Sequence, residues 1–251
     1  MYGLSEERDL EREGVAPEGR KYLYNFDVAM YDYIIRTLKP FFLKGSALEL
    51  GCYKGVFTRI LSEHFTDLTA LDGSCEAVEE TVKVMGNKAR VLQGMIEDSV
   101  FGPAAKCENI FLMHVLEHTN DPRKALRNIR DNLLADSGRL FVVVPNARAA
   151  SRQLAVKMGL LKHVEDVAPW EAAVGHRRTY ASDTLQIDVE ASGLKIVEQG
   201  GIFFKPLCNA QFDALAVKGD IVTEKYREAC FQLGEMYPEF CASLYAVCEK
   251  A

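Results

Sequence analysis

The sequence lacks the features that mark several specialised classes of protein. No apolar run reaches the roughly 18 residues of a membrane span, and the first segment, MYGLSEERDLEREG, is too charged for a signal peptide. Basic residues are in the minority, 30 against 36 acidic ones, and the net charge of −6 gives no support to general nucleic-acid or anionic-membrane binding. We therefore expect a globular protein that binds neither nucleic acid nor a membrane.

The usual structural patterns of cysteine are also missing. The seven cysteines are an odd set without a CxxC pair, which fits free thiols in a reducing cytoplasm better than a disulfide framework or a structural zinc site. The rest of the composition is ordinary, since 48% of the 251 residues are apolar. We predict a cytoplasmic protein with a sizeable core.

Short apolar strand patterns alternate with helix patterns along most of the chain. GRLFVVVPN is a continuous apolar strand, of the kind that is buried on both faces of a parallel sheet. Such alternation is typical of βαβ units and predicts a doubly wound α/β fold. The predicted strands are residues 46–50, 67–72, 89–94, 107–114, 138–146 and 194–204.

The domain organisation follows from the same pattern. Residues 1–40 are interpreted as an arm followed by a lid helix that ends at a proline, and residues 41–251 as one domain. Within this domain we predict an insertion over the rim at 147–180 and a helical insertion at 207–239. Residues 242–250 are interpreted as a closing strand, although helical spacing fits them almost as well.

The first predicted strand ends in a turn that suits a nucleoside. It runs Leu48-Glu49-Leu50-Gly51-Cys52-Tyr53-Lys54-Gly55 into a helix, and glycine at 51 allows a sharp turn and a close ligand. Asp72 ends the second strand, where it can accept both hydroxyls of a ribose. The chain has G-x-x-x-G here instead of the dinucleotide pattern G-x-G-x-x-G, and no GK[ST] loop occurs. The site therefore suits a ribose that carries an amino-acid group.

Four ordered stretches carry a likeness to a known family. They are ALELGCYKGVFTRIL, LTALDGS, VLQGMIED and NIFLMHVLEHTNDPRKALRNIRDNLLADSGRLFVVVPNA. Together they resemble the motifs of the class I S-adenosylmethionine-dependent methyltransferases, most closely the branch that acts on small molecules. The resemblance covers about residues 42–148. It implies a Rossmann-like, seven-stranded, mostly parallel sheet and S-adenosyl-L-methionine as the cofactor.

The resemblance also implies roles for individual residues. Glu49 and Gly51 would hold the methionine end of the cofactor, and Asp72 the ribose hydroxyls. The turn 94–97 would flank the adenine, and His114 would line the sulfonium pocket. The complete cofactor set implied is Glu49, Gly51, Cys52, Tyr53, Gly55, Asp72, Gly73, Met95, Ile96, Glu97 and His114.

Two positions depart from the family pattern. Tyr53 stands where the family usually has glycine, and it adds bulk beside the amino-acid end of the cofactor. Met95 stands where an aspartate is common and cannot accept a hydrogen bond from the adenine amino group as a carboxylate does. Adenine recognition is therefore expected to rely on backbone groups, neighbouring polar residues or apolar packing.

Several polar residues are candidates for the acceptor side. His176, Arg177 and Tyr180 form a cluster before a helix, on the rim where acceptors bind in this family. Arg177 fits a carboxylate or phosphate, and equally a solvated loop charge. Asn146 ends the fifth strand, and Tyr24 belongs to an aromatic stretch that fits a lid or a packed helix face. We predict Tyr180, Asn146 and His176 as catalytic and Tyr24, His118 and Arg177 as substrate-binding.

A metal site is not expected from the sequence. His114 and His118 have the i, i+4 spacing of metal ligands if they are helical, but no third ligand with its own spacing is apparent. His118 is interpreted as a residue that holds a loop rather than as a general base.

The predicted reaction is an in-line attack by a small-molecule nucleophile on the sulfonium methyl group, which releases S-adenosylhomocysteine. One alternative keeps the cofactor but uses its aminocarboxypropyl arm, by transfer or cyclisation, and releases methylthioadenosine. The unusual Tyr53 motivates it, together with Asn146 and Tyr180, which are expected near the amino-acid end of the cofactor. Another alternative is a non-enzymatic regulatory or scaffold module. The amphipathic pattern of 207–239 also suggests a homodimer.

Overall fold

The computed structural model describes residues 9–13, 15, 23–100 and 106–251, which include one seven-stranded sheet. Most of the predicted arm therefore lies outside the described residues. The strands are β1 (Ala47–Leu50), β2 (Leu68–Asp72), β3 (Arg90–Gln93), β4 (Cys107–Met113), β5 (Leu134–Pro145), β6 (Leu194–Phe204) and β7 (Cys241–Lys250). Their order is β3-β2-β1-β4-β5-β7-β6, and only β7 runs antiparallel to its neighbours. The predicted Rossmann-like, mostly parallel α/β fold is confirmed.

The helices occupy the connections between these strands. They are α1 (Leu10–Glu13), α2 (Asn25–Leu38), α3 (Val56–Leu61), α4 (Cys75–Met85), α5 (Pro122–Asn128), α6 (Ala150–Lys157), α7 (Pro169–Ala173), α8 (Ser182–Glu190), α9 (Asn209–Ala216) and α10 (Glu224–Met236). Ser74 caps α4 by accepting from the Ala77 N–H, and Asp121 caps α5 with proline at its first position. Within the described ranges, no helix has the length and apolarity to cross a membrane.

Helices cover both faces of the sheet. Successive side chains of a strand point to opposite sides, so one apolar strand contributes to the core on both faces. Leu140 and Val142 of β5 belong to the core cluster shared with α5 and α8. Phe141 and Val143 belong to the opposite cluster, which α2, α9 and α10 cover. Phe141 also stacks on Phe111 of β4 with ring centroids 4.8 Å apart. The apolar run of β5 is thus buried on both faces, as the sequence predicts.

The last strand of the chain, β7, lies between two strands that precede it in the sequence. β7 pairs with β5 on one side and with β6 on the other, antiparallel to both. The predicted closing strand is therefore confirmed, and it begins at Cys241. This start lies at the same edge as the carboxyl ends of the parallel strands, where Pro145 pairs with Ser243.

Candidate active site

A cavity of about 540 Å³ opens at the carboxyl ends of the parallel strands. It lies where the strand order reverses between β1 and β4, the usual ligand site of an open α/β sheet. The volume is within the roughly 300–1,000 Å³ of small-molecule sites. Of the predicted cofactor residues, the cavity is lined by Glu49, Gly51, Cys52, Tyr53, Asp72, Gly73, Met95, Ile96, Glu97 and His114.

The turn after β1 has an unusual backbone that its neighbours hold in place. Gly51 has a φ of +80°, and a Cβ added there would lie 2.4 Å from a Val115 methyl group. Tyr53 also has a left-handed φ, +45°. Its N–H donates to Asp72 Oδ2 at 2.8 Å, and its carbonyl accepts from Thr81 Oγ1 at 2.8 Å. These two bonds hold Tyr53 in a backbone conformation that favours glycine.

Asp72 lies at the end of β2 with its carboxylate held in one orientation. One oxygen accepts from the Tyr53 N–H and the other from the Ser74 N–H at 2.9 Å. A carboxylate is a hydrogen-bond acceptor at both of its oxygens. The cavity wall thus contains a fixed acceptor pair of the kind that suits a vicinal diol.

Glu49 is a buried acid in the wall of the cavity. Glu49 is only 2% exposed, and its Oε2 has no hydrogen-bond partner among the described residues. Burial raises the pKa of Glu49 to about 8, and the negative charge of Asp72 acts in the same direction. An unpartnered acid at this depth is well suited to an ammonium group, which would satisfy its free oxygen.

Replacing Glu49 with glutamine should stabilise the ligand-free protein at alkaline pH. Between pH 4.5 and 8 the folded chain keeps a proton on Glu49 that the unfolded chain releases, so the wild-type free energy of unfolding falls as the pH rises through this window. Glu49→Gln removes this loss, and we expect a gain of about 2–4 kcal/mol at pH 8.5 but little change at pH 4.5. Urea unfolding over this pH range measures it.

The matched control is Glu80→Gln. Glu80 is a surface residue whose pKa is lowered by its bond to Lys83, so it does not titrate between pH 5 and 8. A Glu49→Gln curve that stays parallel to the wild-type curve at all pH values would contradict a raised pKa.

Two other predicted cofactor residues have distinct surroundings. Gly55 does not line the cavity. It has a φ of +74° at the start of α3 and packs against Thr81, so its predicted cofactor contact is corrected to a helix-start role. Met95 does line the cavity, beside Gly73, where an added Cβ would lie 2.9 Å from the methionine sulfur. The cavity wall at Met95 is therefore partly apolar, and Glu97 also lines the cavity.

One protein-family model matches most of the chain. A family model described as a methyltransferase domain matches residues 22–199, well over half of the chain. The chain belongs to this methyltransferase family. It is therefore an S-adenosylmethionine-dependent transferase, as the sequence motifs predict, and the alternative of a non-enzymatic module is set aside. No curated protein matches the methyltransferase in sequence.

Solved structures share the fold of the methyltransferase at low sequence identity. The N-methyltransferase NodS from Bradyrhizobium japonicum, in complex with S-adenosylhomocysteine, is 17% identical, has a TM-score of 0.58 and aligns over 96% of each chain. The plantazolicin methyltransferase BamL is 15% identical with a TM-score of 0.55, over 88% of this chain and 83% of that one. The [4+2]-cyclase SpnF is 14% identical with a TM-score of 0.59, over 94% and 85%. These likenesses show the fold.

A second wall of the methyltransferase cavity is lined by polar side chains from distant segments. They are His114, Glu117, His118, His176, Lys205, Asn209 and Ser243. His114 has a left-handed φ of +55°; its Nε2 lies 3.4 Å from Ser243 Oγ and its Nδ1 3.7 Å from Glu117 Oε1. The rings of His118 and His176 are in edge contact with centroids 4.6 Å apart. The fold thus brings three of the five histidines to one wall.

Two residues predicted as catalytic are used for structure instead. Tyr180 is 2% exposed, is absent from the cavity wall and donates its hydroxyl to Asp188 of α8 at 3.1 Å; burial raises its pKa above the ordinary range. Asn146 touches the cavity, but its amide donates to the carbonyls of Glu239 and Cys241 and accepts a backbone N–H two residues on. The Asn146 amide therefore joins the end of β5 to the start of β7. Neither geometry supports proton transfer to a substrate.

Arg177 is predicted to bind substrate but does not line the cavity. Its guanidinium lies 3.3 Å from Glu13 of α1, and its backbone N–H donates to the Glu117 carbonyl at 3.0 Å. Arg177 thus joins α1 to the loop before α8. Tyr24, at the start of α2, and His118 both line the cavity.

The Tyr180→Phe variant tests the structural assignment of Tyr180. Removing its hydroxyl deletes one hydrogen bond and leaves Asp188 paired with Arg123 at 2.8 Å. We expect a loss of about 1 kcal/mol in the free energy of unfolding and product formation within about twofold of wild type. Thermal unfolding and product analysis measure the two quantities. A loss of turnover with unchanged stability would restore the catalytic assignment.

A buried polar group at the cavity wall was missed from the sequence. Lys205, directly after β6, is 2% exposed; its ammonium bonds to Asn209 Oδ1 and lies 3.8 Å from the ring centroid of Phe26. Burial lowers the pKa of Lys205 to about 8 and raises that of Asp27, which accepts from Asn209 Nδ2 at 2.7 Å. The available signal was a lysine directly after an apolar strand. No spacing connects it to Asp27, which lies in the first third of the chain.

Proposed function

We propose that this methyltransferase transfers a methyl group from S-adenosylmethionine to a small-molecule acceptor and releases S-adenosylhomocysteine. The observation that carries the proposal is the cavity itself, in which the wall with Glu49 and Asp72 continues into the wall with the three histidines and Lys205. A volume of about 540 Å³ suits the cofactor together with a small molecule. The seven free cysteines support a reducing, cytoplasmic location.

The cofactor-side residues fit S-adenosylmethionine in three places. The unpartnered Oε2 of Glu49 receives the ammonium of the amino-acid end, and Asp72 accepts the ribose hydroxyls. The apolar wall at Met95 packs on the adenine. The bound sulfonium supplies the reactive methyl group, so the task of the chain is to position the acceptor and exclude water.

The acceptor-side wall offers imidazoles rather than a single dedicated base. An amine acceptor attacks with its own lone pair, whereas a hydroxyl acceptor gives its proton to a nearby group. His114 is the imidazole that we assign to this role, because it directly follows β4 and lies half-buried in the cavity wall beside Ser243. Lys205 binds the polar end of the acceptor at the part of the wall formed by α2 and α9.

Mass spectrometry of the sulfur-containing product tests the proposal. The protein is incubated with S-adenosylmethionine, with and without a small-molecule cell extract, beside a control without protein. S-adenosylhomocysteine that forms only with extract is the expected result. Fractionating the extract by this readout then leads to the acceptor.

The same experiment addresses the alternative chemistry at the aminocarboxypropyl arm. Tyr53, fixed in a left-handed conformation in the cavity wall beside Glu49 and Asp72, is the observation that favours it. Methylthioadenosine that forms faster than in the protein-free control would favour this alternative. Methyl transfer would then be wrong, whereas cofactor binding would stand.

A further inference from the structure

Glu117, His118 and His176 converge in the cavity wall. One potential ligand atom from each lies within 4.8 Å of the other two. The two imidazole rings are nearly perpendicular, with an interplanar angle of 78°, so their nitrogens can approach one point without a clash of the rings. A backbone hydrogen bond of 3.0 Å from Arg177 to the Glu117 carbonyl joins the two segments that carry the three residues.

Glu117 is an unusually placed carboxylate. It is 1% exposed, and neither of its side-chain oxygens has a hydrogen-bond partner among the described residues. Its neighbour at ion-pair distance is the imidazole of His114, whose Nδ1 lies 3.7 Å from Oε1, too far for a hydrogen bond. A buried carboxylate without a hydrogen bond is stabilised by a positive charge beside it. The geometry supplies a place for one between Glu117 and the two imidazoles.

We propose that Glu117, His118 and His176 bind a divalent transition-metal ion of the zinc, cobalt or iron(II) type. Two imidazoles and one carboxylate are a suitable ligand set for such ions, and three protein ligands leave positions open. Bond lengths of about 2.0–2.2 Å place neighbouring ligand atoms about 3 Å apart, so the side chains rotate inward when the ion binds. The ion offsets the Glu117 charge, and its open positions face the cavity.

This site differs from the pair that the sequence suggests. His114 and His118 do not share a helical face, because His114 has a left-handed φ and the 3-10 turn spans Leu116–His118. The third ligand, His176, lies 58 residues after His118 and carries no motif of its own. The sequence shows no third ligand with its own spacing, and only the fold brings His176 to Glu117 and His118. The proposed metal binding does not depend on the proposed function.

Cobalt(II) titration of the chelator-treated, untagged protein tests the site. We expect visible d–d absorption that saturates at one equivalent and is displaced by zinc. His118→Ala and His176→Ala should each weaken cobalt affinity by at least about 10–100-fold, the loss that even outer-shell changes cause at metal sites. His163→Ala is the matched control, because His163 is exposed and does not line the cavity. It should bind like the wild type.

Two results would overturn the site. One is the absence of stoichiometric cobalt binding in protein that retains its cooperative unfolding transition, which would mean that protonated imidazoles neutralise Glu117. The other is binding that survives both histidine substitutions but is lost on alkylation of the exposed thiols, Cys75 and Cys208. The titration needs no methyl transfer. Its failure therefore leaves the proposed function intact, and a failed product assay leaves the metal site intact.

Discussion

Replacing Asp72 with alanine should weaken S-adenosylmethionine binding by about 10–100-fold. A hydrogen bond to a charged group contributes about 1.5–3 kcal/mol, and each 1.4 kcal/mol is a factor of ten in affinity. In our assignment the alanine variant loses the bonds to the ribose. It also releases the Tyr53 and Ser74 N–H groups, which loosens the turn beside the amino-acid end. Isothermal calorimetry with S-adenosylmethionine and S-adenosylhomocysteine measures the change.

Two further variants separate these contributions. Asp72→Asn keeps one acceptor oxygen and should give an intermediate loss. Asp98→Ala removes an exposed carboxylate that pairs with Lys124 outside the cavity, and it should leave cofactor affinity unchanged. Equal affinities for the wild type and Asp72→Ala would eliminate the ribose assignment.

Replacing Gly51 with alanine should lower the free energy of unfolding by about 2–6 kcal/mol. Alanine at a φ of +80° is strained by about 1–3 kcal/mol. Its Cβ would also lie 2.4 Å from a Val115 methyl group, and such overpacking destabilises by about 1–3 kcal/mol more. Urea unfolding measures the loss, and we also expect weaker cofactor binding because the turn must shift.

Gly159 provides a matched control for the Gly51 substitution. Its φ is +73°, close to that of Gly51, but nothing lies within 4 Å of an added Cβ. Gly159→Ala therefore reports the backbone strain alone, and the difference between the two alanine variants reports the contact with Val115. The double variant Gly51→Ala/Val115→Ala should recover part of the loss. If both glycine substitutions destabilised equally, the contact would contribute nothing.

The strands were predictable because their signals are local. β6 has the predicted bounds of 194–204, since an apolar run between two turn signals needs no distant partner to be recognised. The position of β7 in the sheet was not predictable from its residues. Pairing between 241–250 and two strands that precede it is a non-local choice, and a sequence pattern states only that a strand forms.

The two walls of the cavity also differ in whether local sequence signals predict them. Glu49 and Asp72 belong to two consecutive strands, and Gly51 directly follows the first of them. Their common location at the cavity therefore followed from the motifs. Tyr180 failed as a catalytic candidate because residue type gives no direction, and its side chain enters the core beneath α8. His176 meets Glu117 only because the loop before α8 folds back over the end of β4.

The position of β7 between β5 and β6 also determines when the sheet can be completed during synthesis. Residues 241–250 are synthesised after β5 and β6. The strand that lies between β5 and β6 is therefore missing until these residues have left the ribosome. Until then the edge of β5 exposes unpaired backbone beside Val142 and Val143, which is an aggregation hazard. The sheet therefore closes late, and a chain truncated before Cys241 lacks the strand that joins β6 to β5.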